Sequence, residues 1–358
     1  MKKRPLALVQ LLLLTSLASA QGDWTVAEFI AETGVREGPV PSRKLPGWTP
    51  NPTILLSGGL DAAGDLAHDF PDANFVVTGA KDANVIIGSC PADQIREAQN
   101  LVWVQIFSAG AERCLAVDEL GTGKVLLTNG QKMSSPAIGE HAVAMGLSLA
   151  RGLVRYSKVM RDGQWRSDIT QEPGIYSVSG KTMLVVGLGG IGTAAAKRAS
   201  ALGMRVIATR NSSREGPPYV AYVGLSEELP QLAGEADIIV NALPLTSSTR
   251  GLFDKALFGA VKPGAYFVNV GRGGTVVTAD LVAALESGQL AGAGLDVTDP
   301  EPLTADHPLW QMPNVIITPH VSWAGSDRRY HNTLLRENIR RYLAGEALLN
   351  VVDPERGY

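Results

Sequence analysis

The chain has 358 residues, 45% of them hydrophobic and 19% charged, with a formal net charge of -3. That length suits about two domains. The slight acidity argues against a nucleic-acid partner, which would require a strongly basic face, and no run of like charges marks a solvated tail.

The opening stretch, MKKRPLALVQLLLLTSLASA, sets a basic start (Lys2, Lys3, Arg4) before an apolar run that ends in Ala18-Ser19-Ala20. This is the pattern of a secretory signal peptide over residues 1–20, cleaved after Ala20. The apolar run is short for a membrane span, which needs about 20 residues. The mature chain is therefore expected to be periplasmic or secreted, with no membrane segment; the other reading is an uncleaved anchor or a misplaced start on a cytoplasmic protein. The cysteines are Cys90 and Cys114. An exported protein could pair them, and two buried free thiols fit equally well. No Cys/His cluster has metal-ligand spacing, so no metal is expected.

Three strand-like runs follow, TILLSG (53–58), NVIIGS (84–89) and VWVQIFSAG (102–110), with helix-compatible segments between them. They predict a small α/β unit with a parallel sheet. Ser134 and Ser135 before Pro136 make a helix start. Ile138, Ala142, Met145, Leu149, Leu153 and Tyr156 then form one apolar face of a long helix over 134–160. From Lys181 the pattern becomes regular. MLVV, MRVIAT, ADIIVNALPL (236–245), GAYFVNVGRGG (264–274), AGAGLDV (291–297) and NVIITPH (314–320) read as strands, with helices such as TADLVAALESG between several of them. Apolar strands alternating with helices imply a doubly wound parallel sheet. The segment SDRRYHNTLLRENIRRYLAGE closes the chain's pattern as a long amphipathic helix.

Gly187, Gly189 and Gly192 form G-x-G-x-x-G between the strand MLVV and an alanine-rich helix. In that context the first glycine permits the turn, the second lets a pyrophosphate approach, and the third packs helix on strand. The amides at the helix start, near Gly190 and Ile191, then face phosphates. In NAD-binding sheets an acid ends the second strand and accepts from the adenosine ribose hydroxyls. Here the residue is Arg210, 18 positions past Gly192. An arginine fork suits a 2′-phosphate, and Ser212, Ser213 and Arg214 stand ready to add donors. The loop therefore predicts NADP, with NAD possible. Three further motifs carry chemistry: NVGRGG with Arg272, LDVTDPEPL with Asp296 and Glu301, and ITPHVSWAG with His320. All lie just past strands, at the carboxyl edge where such sheets bind ligands.

The ordered set GLGGIG, NALPLTSSTRG, NVGRGG, GAGLDVTDPEPL and NVIITPHVSWAG resembles the D-isomer-specific 2-hydroxyacid dehydrogenase family over about residues 100 to 358. TNGQKMSSPAIGEHAVAMGLSLAR is similar to that family's hinge helix, and the C-terminal segment most resembles its glycerate dehydrogenase and hydroxypyruvate reductase branches. The resemblance implies a Rossmann nucleotide domain, 134–320, and a smaller flavodoxin-like α/β substrate domain, 21–133 with 321–358. Residues 21–52 match nothing recognisable. The implied roles are Arg272 for the substrate carboxylate, His320 for proton transfer and Glu301 for holding the histidine. The backbone of Ser108, Ala109 and Gly110 joins in carboxylate binding. Leu243 and Pro244 join the cofactor site, and Asp296 meets the nicotinamide carboxamide. The implied activity is hydride transfer between NADP(H) and a small 2-keto acid of the hydroxypyruvate or glyoxylate type, by a homodimer. The other reading is a non-catalytic nucleotide-sensing interaction protein on the same scaffold. His68, His141, His307 and His331 carry no motif and read as structural; Trp323 reads either as a pocket wall or as packing.

Overall fold

The computed structural model describes residues 24–58, 63–171 and 173–358. The leader lies outside them. The strands in chain order are β1 (Glu37–Pro41), β2 (Thr53–Leu56), β3 (Asn74–Val76), β4 (Val85–Gly88), β5 (Trp103–Ile106), β6 (Leu126–Thr128) and β7 (Thr182–Val186). They continue with β8 (Arg205–Thr209), β9 (Tyr222–Gly224), β10 (Ile238–Asn241), β11 (Ala265–Asn269), β12 (Leu290–Leu295), β13 (Val315–Ile317) and β14 (Ala347–Leu349). The chain divides into two compact units, one built from residues up to 134 with 327–358, the other from 135–326. The second boundary lies six residues beyond the one read at 320 (326 − 320). Residues 321 and 322 stay with the nucleotide unit because their amides bond to the Asp296 carboxylate.

The first unit holds a parallel sheet of order β3-β2-β4-β5-β6. Read within the unit this is 2-1-3-4-5, the flavodoxin-like order. Both faces are covered, so alternate side chains enter opposite cores. Ile54, Leu56, Val85, Ile87 and Trp103 lie in one; Leu55, Ile86, Val104 and Ile106 lie in the other. The helix Arg328–Leu343 returns to this unit and contributes Leu335, Ile339 and Tyr342 to the first core. Tyr342 stacks on Trp103 with ring centroids 5.6 Å apart. Fully buried Asn338 ties helix to sheet: its side-chain amide donates to Gln105 and to the Leu349 carbonyl, and its oxygen accepts from the Leu349 amide. Of the segment 21–52, unassigned from sequence, the described residues 24–52 gain a place here. The helix Val26–Thr33 buries Phe29 against Leu334 and Leu349, and β1 pairs antiparallel with β14. Cys90 and Cys114, left open between pairing and free thiols, are joined as a disulfide.

The second unit holds a seven-stranded parallel sheet of order β13-β12-β11-β10-β7-β8-β9. Within the unit this is 3-2-1-4-5-6-7, the doubly wound order with one added strand. Leu184 and Val186 enter the core on one face, Met183 and Val185 that on the other. The helix expected over 134–160 is broken. It runs as Ser135–Ala150 and Leu153–Arg161, with Gly152 between them at φ +66°. A left-handed residue stops the first helix. The apolar face holds only as far as Leu149: Ala142, Met145 and Leu149 are buried, whereas Leu153 is exposed. Strands β3, β6 and β9, each of three residues, went unread because runs that short carry no period. Among the described residues no helix is long and apolar enough to cross a membrane.

His331, on the helix Arg328–Leu343, is 6% exposed. Its ring lies 6.4 Å from that of Phe107 and bonds to the Phe107 backbone, while Nδ1 has no partner. Burial pushes its pKa down to about 4. The group is then neutral in the folded chain and free to protonate in the unfolded one. Its stabilising contribution is complete above pH 6.5 and is lost as the pH falls toward 4. Denaturant unfolding of the protein between pH 7 and 4 is expected to lose up to about 3 kcal/mol through this group. His331→Gln, which cannot titrate, flattens that slope; an unchanged slope in the variant means that His331 is not its source.

Candidate active site

In the second unit the glycine turn joins β7 to the helix Gly190–Ala201. Gly187 stands at φ +94°, which disfavours any larger residue. A Cβ at Gly192 would lie 2.1 Å from the Gly187 carbonyl oxygen, so only hydrogen fits. A Cβ at Gly189 meets nothing within 4 Å: the turn is open on that side, where a ligand needs room. No side chain caps the helix start, which leaves the Gly190 and Ile191 amides to a ligand. Leu243 packs on the turn, its Cδ2 3.0 Å from where a Gly187 Cβ would stand. Pro244 follows in the same loop, its carbonyl accepting from the Thr249 hydroxyl.

Arg210 follows β8 directly. Its amide donates to the Gly224 carbonyl and its guanidinium to the Glu215 carbonyl at 3.0 Å. The backbone of the loop thus bends around the guanidinium, with Ser212 exposed beside it. Arg214 is placed differently from its expected role. It pairs with Glu228 at 2.7 Å and donates to the Tyr222 hydroxyl. Tyr222 in turn bonds to Glu228, and this bond, with the Leu225 amide and Arg214, holds the Glu228 carboxyl below its ordinary range. Arg214 is therefore already charge-compensated, and Arg210 has no carboxylate partner among the described residues.

Arg272, Glu301 and His320 sit past β11, β12 and β13. His320 Nδ1 lies 2.7 Å from Glu301 Oε1. A carboxylate only accepts, so Nδ1 carries the hydrogen and Nε2 is left for chemistry. The backbone of His320 is left-handed, at φ +55°, a conformation that persists only where the surroundings impose it. They do so through Asp296. Its carboxylate accepts from the Thr318 hydroxyl at 2.6 Å, the Val321 amide at 2.9 Å and the Ser322 amide at 3.2 Å. The His320 amide donates to the Asp296 carbonyl, and the Trp323 indole donates to the His320 carbonyl. Trp323 is thus an anchor of the turn. Asp296 was expected against the nicotinamide, yet its side chain is fully buried and turned inward on these donors. His141, read as structural, lies beside it, with Nε2 3.0 Å from Thr318 Oγ1.

Arg272 is held by residues that sequence reasoning missed. Asn241, Asn269 and Thr275 are buried at the ends of β10 and β11 and in the loop beyond. The Asn241 amide donates to Asn269 Oδ1 and Thr275 Oγ1; the Leu243 amide donates to Asn241 Oδ1, and the Gly271 amide to Asn269 Oδ1. Asn269 Nδ2 and Thr275 Oγ1 both donate to the Arg272 carbonyl. Their signal was available: polar side chains ending apolar strands demand partners. Gly273 must be glycine, because a Cβ would lie 1.9 Å from the Thr298 carbonyl oxygen.

In the first unit, the turn after β5 carries Ser108, Ala109 and Gly110. Each of its carbonyls is taken by the protein. Ser108 accepts from the Gly130 amide, Ala109 from Asn129 Nδ2 at 2.7 Å, and Gly110 from the Ser108 hydroxyl at 2.9 Å. Among the described residues the amides of 108–110 have no acceptor, and Ser108 and Ala109 are exposed. Amides exposed together in one turn are donors of the kind that anions accept from. Among the described residues no cluster of three or more His, Cys, Asp or Glu side chains could hold a metal.

Comparison with known proteins agrees with this chemistry. Residues 143–322 match the D-isomer specific 2-hydroxyacid dehydrogenase NAD binding domain. A hydroxypyruvate reductase of Blautia hydrogenotrophica is 31% identical over 326 residues, covering 86% of this chain and 98% of the relative. The crystal structure of a D-isomer specific 2-hydroxyacid dehydrogenase from Xanthobacter autotrophicus, in complex with NADPH and MES, superposes with a TM-score of 0.75 at 30% identity, over 86% of this chain and all of the other. That of an NADPH-dependent glyoxylate/hydroxypyruvate reductase from Sinorhizobium meliloti, in complex with NADP and sulfate, gives 0.72 at 28% identity, over 86% and 99%. By the family match over half of its length and the 31% identity to a relative covered almost whole, the chain belongs to the D-isomer specific 2-hydroxyacid dehydrogenase family.

Proposed function

We propose that this protein is an NADP-dependent reductase of small 2-keto acids, glyoxylate or hydroxypyruvate in type, giving the D-2-hydroxy acid. The observation that carries the reading is Arg210 at the end of β8, with its guanidinium turned into its own loop and no carboxylate bonded to it. The relatives named above as glyoxylate or hydroxypyruvate reductases support the substrate class.

Gly187, Gly189 and the amides of Gly190, Ile191 and Gly192 hold the pyrophosphate, and Arg210 with Ser212 the 2′-phosphate. NADPH, when bound, supplies the hydride. Arg272 offers its fork to a carboxylate, in the manner suited to two parallel hydrogen bonds. The amides of Ser108, Ala109 and Gly110 offer a second set of donors to an anion. His320 holds a proton at Nε2 for the nascent alkoxide, with Glu301 fixing the ring through Nδ1.

Two further parts of the reading concern assembly and location. Leu153, Met160 and Trp165 are exposed, Trp165 to 99%, on the segment that follows the hinge helix. Such apolar surface calls for cover, and a second copy of the chain, as a homodimer, is the cover we propose. The basic and then apolar start of the sequence supports export.

Steady-state assays with glyoxylate test the catalytic roles. His320→Ala is expected to lower kcat by about 10²- to 10⁴-fold, and Arg272→Ala chiefly to raise KM for the keto acid. Wild-type rates in both variants would overturn the assignment, and no turnover by the wild type with any keto acid would favour a nucleotide-sensing protein. The cofactor reading predicts a preference for NADPH over NADH of about ten- to a hundredfold in kcat/KM, from a charge-assisted fork worth roughly 1.5–3 kcal/mol. Arg210→Asp is expected to reverse it; equal values in the wild type count against the phosphate pocket. The mature chain should begin at Gln21 and scatter light as a dimer. A start at Met1 sinks the export reading, and a monomer at micromolar concentration sinks the assembly.

A further inference from the structure

The disulfide lies beside the anion seat of the first unit. Cys90 stands two residues past Gly88, the last of β4, and Cys114 is in the short helix Glu112–Leu115 that begins just after the Ser108–Gly110 turn. β4 and β5 are neighbours in the parallel sheet, so the bridge ties together the two segments that leave their carboxyl ends. The turn is fastened on one side by the Gly130 amide and Asn129. On the other side it runs through Ala111, whose carbonyl accepts from the Cys114 and Leu115 amides. Beyond those bonds, the covalent fastening of that side is the bridge. Cys114 is 4% exposed and Cys90 half-buried.

We propose that the Cys90–Cys114 disulfide is a redox-dependent positioning site, which holds the amides of 108–110 in place for the carboxylate of the keto acid. The inference rests on the reading of that turn as an anion seat. Oxidised, the bridge fixes the helix start against the loop after β4 and thereby fixes the directions of the three amides. Reduced, the turn keeps its carbonyl bonds but loses that second fastening. The reductant is an external dithiol. One of its thiolates attacks the Cys90 sulfur, which is the more accessible; the Sγ–Sγ bond breaks and Cys114 leaves as a thiolate that takes up a proton. The dithiol's second sulfur then displaces Cys90, so both cysteines end as thiols and the reductant as its own disulfide. Formation is the reverse exchange with a donor disulfide, chemistry that an oxidising compartment outside the cytoplasm provides.

The test uses the mature wild-type protein, oxidised and after complete reduction by a small dithiol, with glyoxylate and NADPH as probes. Reduction is expected to raise KM for glyoxylate about tenfold, as displacement of a positioning group does, with kcat and NADPH affinity little changed. Amide exchange at Cys114 and Leu115 is expected to quicken while that at Gly130, which bonds the turn's carbonyl, stays slow, and reoxidation to restore both KM and exchange. Cys90→Ser should show the raised KM and no response to the dithiol. Free thiols in the isolated, unreduced protein would overturn the proposal. So would unchanged exchange and unchanged KM after full reduction, or a loss of NADPH affinity, which would mean general unfolding. Faster exchange with an unchanged KM would show instead that the turn is not the carboxylate seat, and both readings would fall.

Discussion

A buried carboxylate must be paid for with donors, and Asp296 is the point from which the backbone geometry around His320 follows. Its side chain is fully buried at the end of β12, where an uncompensated charge would cost several kcal/mol. The donors come from Thr318, Val321 and Ser322, residues that flank His320 in the chain. Satisfying the carboxylate therefore bends the backbone around the histidine, and His320 is left in a left-handed conformation with its ring free to meet Glu301. The strain is local and its cause is visible. Trp323 adds a further constraint by donating to the His320 carbonyl.

The same physics recurs at the neighbouring strand ends. Asn241 and Asn269 terminate β10 and β11 inside the protein, and their amide groups take each other, Thr275 and the loop backbone as partners. One consequence is a fixed Arg272 carbonyl; another is a fixed start for the Leu243 loop that packs on the glycine turn. Polar residues buried at the carboxyl edge of a parallel sheet thus convert a flexible set of loops into a rigid one. In the first unit the method is inverted. The carbonyls of 108–110 are all occupied, so what the turn presents outward is its amides. Pinning acceptors is a way of aiming donors.

The cofactor loop shows charge being sorted rather than accumulated. Two arginines stand close in sequence after β8, and by composition alone they are equivalent. Glu228 and Tyr222, contributed from β9 and the turn that follows, pair with Arg214, whereas among the described residues the Arg210 guanidinium bonds to a carbonyl and to no carboxylate. The two arginines thus differ in their partners although they are four residues apart.

By itself the sequence determined the doubly wound sheet of the nucleotide unit and its glycine turn, and it marked Arg272, Glu301 and His320 as candidates. These signals are local: apolar runs of strand length, glycines at spacings that only a tight turn needs, and motifs read within a few residues. Tertiary structure alone decided the rest. It broke the long helix at Gly152, because a glycine inside an apolar stripe reads as tolerable until its φ is known. It found strands of three residues, which pairing creates and periodicity cannot announce. It gave the N-terminal segment a place beside β14 and the helix Arg328–Leu343, across a separation of some three hundred residues. It joined Cys90 to Cys114 and set Arg214 apart from Arg210, since both choices depend on which side chains meet across strands. Long-range pairing, not local propensity, fixes such contacts, and a chain read along its length shows only which residues are available for them.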